Sequence, residues 1–119
     1  MSERDEIYLK HILENIDKVE LSVEKVSKPE FEEESDLIDS AIRRVEVIGE
    51  AVKNLSSELR KKYPQIEWKK IAGTRDKLIH AYFKVDINLL WQIIEDDLIK
   101  LKKDIQEILK KMKRGKNAA

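Results

Sequence analysis

Apolar residues recur along this chain at alternating steps of three and four, and that spacing decides its fold class. One stripe runs Leu9, Ile12, Ile16, Val19, Val23 and Val26, and a second runs Ile38, Ala41, Val45, Ile48, Val52 and Leu55. The third and longest runs Ile87, Trp91, Ile94, Leu98, Leu101, Ile105, Ile108 and Met112. On a helix turning by about 100° per residue such steps put every member on one face, whereas a strand would need strict alternation. Lysine and glutamate fill the positions between, and no stripe is broken by an interior proline. Helices with one apolar face bury it against one another, so the chain is expected to be all-α, an up-and-down bundle of four to five helices.

Residues that end and begin helices stand between the stripes. Ser27 precedes Pro29, Ser35 is followed by Asp36, Ser56 opens a short segment closed by Pro64, and Asp86 stands just before the third stripe. Each can offer a side-chain oxygen to the free N–H groups of a first turn. Between Pro64 and Asp86 a denser segment, Ile66 to Gly73, reads as a helix that breaks or packs closely at Gly73. With 119 residues there is material for one core, so residues 1–112 are expected to form a single domain. The small polar tail 113–119 is expected to fray.

Charge narrows the function. The 24 basic and 24 acidic residues cancel, which argues against a protein that coats nucleic acid through its overall field. Contact with RNA would need a local basic patch. The absence of cysteine excludes disulfides and thiolate metal sites and fits a cytoplasmic location. The charged start, Met1-Ser2-Glu3-Arg4-Asp5, is not a secretory signal, and no apolar run approaches the ~20 residues that span a bilayer, so no membrane partner is expected.

Chemistry concentrates in Arg75-Asp76-Lys77-Leu78-Ile79-His80-Ala81-Tyr82. Arginine grips a phosphate with two parallel N–H donors, and histidine moves protons near neutral pH. On a regular helix Asp76 and His80 share a face, so the carboxylate could orient the imidazole. Arg75 and His80 are about 140° apart on such a helix and converge if it ends near His80. Cleaving RNA without a metal needs a base, an acid and positive charge on the phosphate. Arg75 supplies the charge and His80 one proton transfer at a time. His11, on the first stripe, is far away in sequence, so a two-fold dimer would supply the second histidine. Neither a metal motif nor a phosphate-binding glycine loop occurs, and no cofactor is expected.

Structural readings stand beside these. A lone histidine near a carboxylate is structural about two times in three, and Arg75 could be an ordinary ion-pair partner. Lysines 61, 62, 69, 70, 77 and 84 explain a solvated face as well as an RNA backbone contact. Trp68 and Trp91 read as packing residues.

The octet resembles the R-x4-H-x-Y motif of the HEPN superfamily, in the form found in HepT-like toxins. Ile48-Gly49-Glu50-Ala51, Ile66-Glu67-Trp68, Ile71-Ala72-Gly73, Val85-Asp86 and Leu90-Trp91 resemble the family pattern around it, so the likeness spans roughly residues 5–110. The resemblance implies a HEPN-like homodimer with its cleft at the dimer interface, acting as a metal-independent ribonuclease toxin. Arg75 and His80 would be the catalytic pair, with Asp76 in the polar position after the arginine. Tyr82 would be the residue to which a minimal nucleotidyltransferase antitoxin adds AMP, bringing bulk and negative charge into a phosphate-binding cleft. Independently of the resemblance, Lys77 and Lys84, which flank the motif, are the candidate RNA backbone contacts.

Two other readings compete with the toxin. One is a non-catalytic helical subunit that binds nucleotide or substrate for a minimal nucleotidyltransferase. The other is a plain helical dimerisation scaffold, for which the stripes alone suffice.

Overall fold

The computed structural model describes residues 2–80 and 84–118, and it is built on three long helical bodies. The first, α1 (Glu3–Val23), begins where the Ser2 hydroxyl accepts the Asp5 N–H, and its acidic first turn suits the positive end of the helix dipole. The short α2 (Lys28–Glu32) opens on a capping box in which Ser27 and Glu30 each satisfy the other's backbone N–H. The second body is α3 (Ser35–Lys53), which starts one residue earlier than expected: Glu34 is the cap, without a side-chain bond, and Ser35 is already helical.

Ser56 caps α4 (Ser57–Lys62) as anticipated. Gly73 then divides the next segment into α5 (Trp68–Ala72) and α6 (Thr74–Leu78). These short helical turns come in addition to the long bodies of the expected all-α bundle. Two-residue strands β1 (Ile79–His80) and β2 (Lys84–Val85) follow, paired antiparallel with Ile79 opposite Val85 and His80 opposite Lys84.

The third body is α7 (Ile87–Gln92), opened by Asp86 accepting the Leu89 N–H, continued by a π-helical turn (Ile93–Asp97) and by α8 (Leu98–Ala118). α8 runs on to Ala118, through most of the segment 113–119 that was expected to form a frayed tail. Lysines and an arginine in its last turns suit the negative end of the dipole, and Lys116 pairs with Glu6 on α1.

The three stripes meet in one core. Leu9, Ile12, Ile16, Val19, Ile48 and Val52 are essentially inaccessible, as are Phe31, Leu59 and Leu78 from the short helices. Each such side chain contributes roughly 1.5–3 kcal/mol relative to exposure. The third stripe departs from its spacing at its start: Leu90 and Ile93 are buried, while Ile87 and Trp91 are only partly so. A π turn takes up one residue more than α-helical spacing assumes, so the buried positions on its two sides are offset by one in sequence while both flanks face the core. Trp91 instead meets Phe31, with ring centroids 5.1 Å apart.

Polar clamps fix the helices to one another. Asp5, buried, accepts both the backbone N–H and the hydroxyl of Ser56 at 2.8 and 2.7 Å. Asn15, buried on α1, donates to the His11 carbonyl and accepts from Arg44 on α3. Lys102 on α8 reaches Asp17 and Glu20 on α1 at 2.9 and 3.0 Å. Among the described residues no helix is long and apolar enough to cross a membrane.

Candidate active site

Arg75 sits at the second position of α6, directly behind the Gly73 break, and its side chain reaches back toward α3. Gly49 on α3 permits this. A Cβ added there would lie 3.2 Å from the Ala72 carbonyl oxygen, tighter than an ordinary contact, so the glycine lets the end of α5 settle on α3 without pushing it back by a few tenths of an ångström. Arg75 consequently lines a cleft between α3 and α6 together with Val45, Glu46, Gly49, Lys53 and Asp76.

The guanidinium is half-exposed and meets two carboxylates. Its Nε lies 3.2 Å from Glu46 Oε1, and its Nη1 lies 3.8 Å from Asp76 Oδ1. Glu46 is largely covered, with 28% of its side chain accessible, whereas 86% of the Asp76 side chain is accessible. Sequence reasoning did not find Glu46. It is one of many glutamates on a helix surface, and nothing in its spacing links it to a residue 29 positions away.

The helix carrying Arg75 ends at Leu78, two residues before His80. Leu78 is fully buried and its carbonyl accepts the Asp86 N–H at 2.8 Å, which closes the β1–β2 ladder against the core. Asp76 and His80 therefore do not share a continuous helical face, and the side-by-side arrangement expected on a regular helix does not apply. The early helix end is the condition under which Arg75 and His80 were expected to converge. Of His80 and Lys84 the backbone alone is described, and Tyr82 lies outside the described residues.

Two further surfaces involve the same helices. Lys69, Lys70 and Lys77 surround Trp68 and Ile66 in an open groove along α5 and α6. Helices α4 to α6 carry the basic residues Arg60, Lys61, Lys62, Lys69, Lys70, Arg75 and Lys77 against only Glu58, Glu67 and Asp76, in a chain whose charges cancel overall. On the other side of α3, His11, Tyr8 and Arg43 line a groove that shares Glu46 and Glu50 with the arginine cleft. The fold thus brings His11 to the neighbouring groove, on the far side of Glu46. Among the described residues no group of three or more His, Asp or Glu side chains is arranged to hold a metal ion.

Comparison with known proteins bears on this arrangement. Residues 12–108 match the family described as ribonuclease HepT-like. The chain is 44% identical over 111 residues to a protein of Methanocaldococcus jannaschii named "Gamma-glutamylcyclotransferase and putative RNase"; the match covers 93% of this chain and 50% of that protein, so the chain spans half of that relative's length. It is 42% identical to a "Putative RNase" of Caldanaerobacter subterraneus subsp. tengcongensis, covering 89% of this chain and 95% of the relative. It is 36% identical to a "Probable ribonuclease HepT" of Thermococcus cleftensis, covering 87% and 94%. No solved structure matches.

Proposed function

The chain belongs to the ribonuclease HepT-like family, and from that premise we propose that it is a metal-independent endoribonuclease toxin acting through Arg75 and His80. The observation that carries this reading is the half-exposed guanidinium of Arg75, held in the cleft between α3 and α6 where a phosphate can reach it. In the proposed reaction a ribose 2′-hydroxyl attacks the adjacent phosphorus. One group takes the hydroxyl proton, another protonates the departing 5′-oxygen, and the strand ends in a 2′,3′-cyclic phosphate. Arg75 balances the charge that builds on the phosphoryl oxygens. His80 performs one of the two proton transfers, and in a two-fold homodimer the partner's copy of the motif performs the other.

The lysine groove along α5 and α6 supports an RNA strand as substrate. Lys77, which follows Asp76 in α6 and lines the groove with Lys69 and Lys70, would carry phosphates flanking the cut, and Lys84 would act with them. Control would come from a minimal nucleotidyltransferase antitoxin that adds AMP to Tyr82. A phosphate and nucleoside placed two residues from His80 would repel the substrate backbone.

The test is incubation of the purified protein and its His80→Ala variant with total RNA in excess EDTA, Tyr82 having been confirmed unmodified by mass spectrometry. Cleavage by the parent alone, leaving 2′,3′-cyclic phosphate ends, is the expected result. Cleavage by neither sinks the nuclease and favours the non-catalytic nucleotide- or substrate-binding subunit. Equal cleavage by both moves the chemistry away from His80.

A further inference from the structure

We propose that Glu46 is the positioning residue for Arg75, holding the guanidinium so that its outer pair of N–H groups faces the scissile phosphate; this rests on the ribonuclease reading above. Arg75 needs such a partner because of where it stands. It belongs to a five-residue helix, and its side chain is 55% accessible. A long side chain so placed sweeps through many orientations unless something stops it. Glu46 comes from the opposite kind of element. It lies mid-way along the 19-residue α3, between the buried Val45 and Ile48, so its backbone is fixed by the core.

The contact is also one-sided. Glu46 Oε1 approaches Nε, the nitrogen nearest the arginine stem, at 3.2 Å. Asp76 stands 3.8 Å from Nη1, and among the described residues no partner reaches Nη2. A guanidinium presents its donors as a planar fork with several edges. Anchoring the stem edge turns the outer Nη1–Nη2 edge, which the exposed Asp76 approaches at 3.8 Å, toward two phosphate oxygens. Asp76 is a poorer anchor, because it is highly exposed and shares the short helix with Arg75. An ion pair this accessible contributes little to folding. Loss of Glu46 should therefore be read in turnover while the fold survives.

The experiment measures EDTA-resistant cleavage of a short single-stranded RNA by the parent, Glu46→Ala, Glu46→Gln, Arg75→Ala and the Glu46→Ala/Arg75→Ala double variant. Binding of the all-2′-deoxy oligonucleotide of the same sequence and thermal unfolding are followed in parallel. Glu46→Ala is expected to lower kcat about tenfold with KM within about threefold, and the double variant to be no worse than Arg75→Ala alone. Glu46→Gln keeps an acceptor at the same reach and is expected to recover most of the loss. Unchanged or raised kcat in Glu46→Ala overturns the proposal, as does a loss that adds in full to that of Arg75→Ala.

If the parent binds the deoxy oligonucleotide through Arg75 yet cleaves no RNA, the nuclease reading fails by itself. The role of Glu46 is then decided by coupling in binding: it falls if the change made by Glu46→Ala, expected to stay within about threefold, is the same in the parent and in Arg75→Ala. A parent that neither cleaves nor binds overturns both.

Discussion

Gly49 faces the carbonyl of Ala72 so closely that a methyl group on its α-carbon would sit 3.2 Å from that oxygen. This approach ties α5 to α3, and α6 begins two residues after Ala72. The distance between Arg75 and Glu46 therefore depends on a contact in which neither residue takes part.

Enlarging Gly49 should loosen that geometry in proportion to size. Gly49→Val is expected to destabilise the fold by about 1–3 kcal/mol through overpacking, and to lower EDTA-resistant RNA cleavage at temperatures where the fold is intact. Gly49→Ala gains up to about 1 kcal/mol of helix propensity against a smaller clash, so its unfolding midpoint should stay close to the parent's. Denaturant titration beside a cleavage assay separates the two effects.

Arg75→Lys keeps the positive charge and loses the fork. An ammonium is one compact charge and cannot both touch Glu46 through its stem side and grip two phosphate oxygens outside. Cleavage is expected to fall about 10- to 100-fold, with thermal stability unchanged. Activity equal to the parent's would show that charge alone suffices.

Asp5→Ala strips two hydrogen bonds from Ser56, leaving its part-buried N–H at the start of α4 without that acceptor. Bonds of this kind to a charged group are worth about 1.5–3 kcal/mol, so the urea midpoint should drop without a change in m-value. Asp5→Asn retains one acceptor and should lose less.

Acid should weaken the fold through two carboxylates. Glu30 is held below its ordinary value chiefly by the Ser27 backbone N–H, and Glu6 chiefly by its bond to Lys116. Both are depressed in the folded state. The stabilisation they give is complete above the ordinary value of 4.5 and disappears as pH falls through their lower folded values. Between pH 7 and about pH 3 the melting temperature of a Glu6→Gln/Glu30→Gln variant should therefore decline less than the parent's. Parallel curves would remove these two groups as the cause.

Residues whose signal is local were legible in the sequence. The first two stripes name the core faces of α1 and α3, Ser56 and Asp86 cap the helices they precede, and Gly73 marks a break. Partnerships between distant residues were not legible. Asp5 reads as part of a charged, solvated start and is instead buried against Ser56, because only the closed bundle brings the two together. Glu46 is invisible for the same reason. Ser35 failed as a cap because Glu34 turns the chain one residue earlier. The octet was legible as a motif, but a regular helix was the wrong frame for it, since the chain leaves the helix at Leu78 to pair with Lys84 and Val85.

The π turn between α7 and α8 has a bearing on how this fold tolerates changes in length. A wide turn of this kind accommodates a surplus residue without rotating either flank. Removing the exposed Glu95 would let Ile93–Asp97 tighten into an α-helix, leaving Leu90 on one side and Leu98, Leu101 and Ile105 on the other still aimed at the core. A deletion in the middle of α8 or α3 has no such slack and would turn every later apolar side chain by about 100° toward water. Shortened forms of this domain should therefore carry their gap between residues 93 and 97.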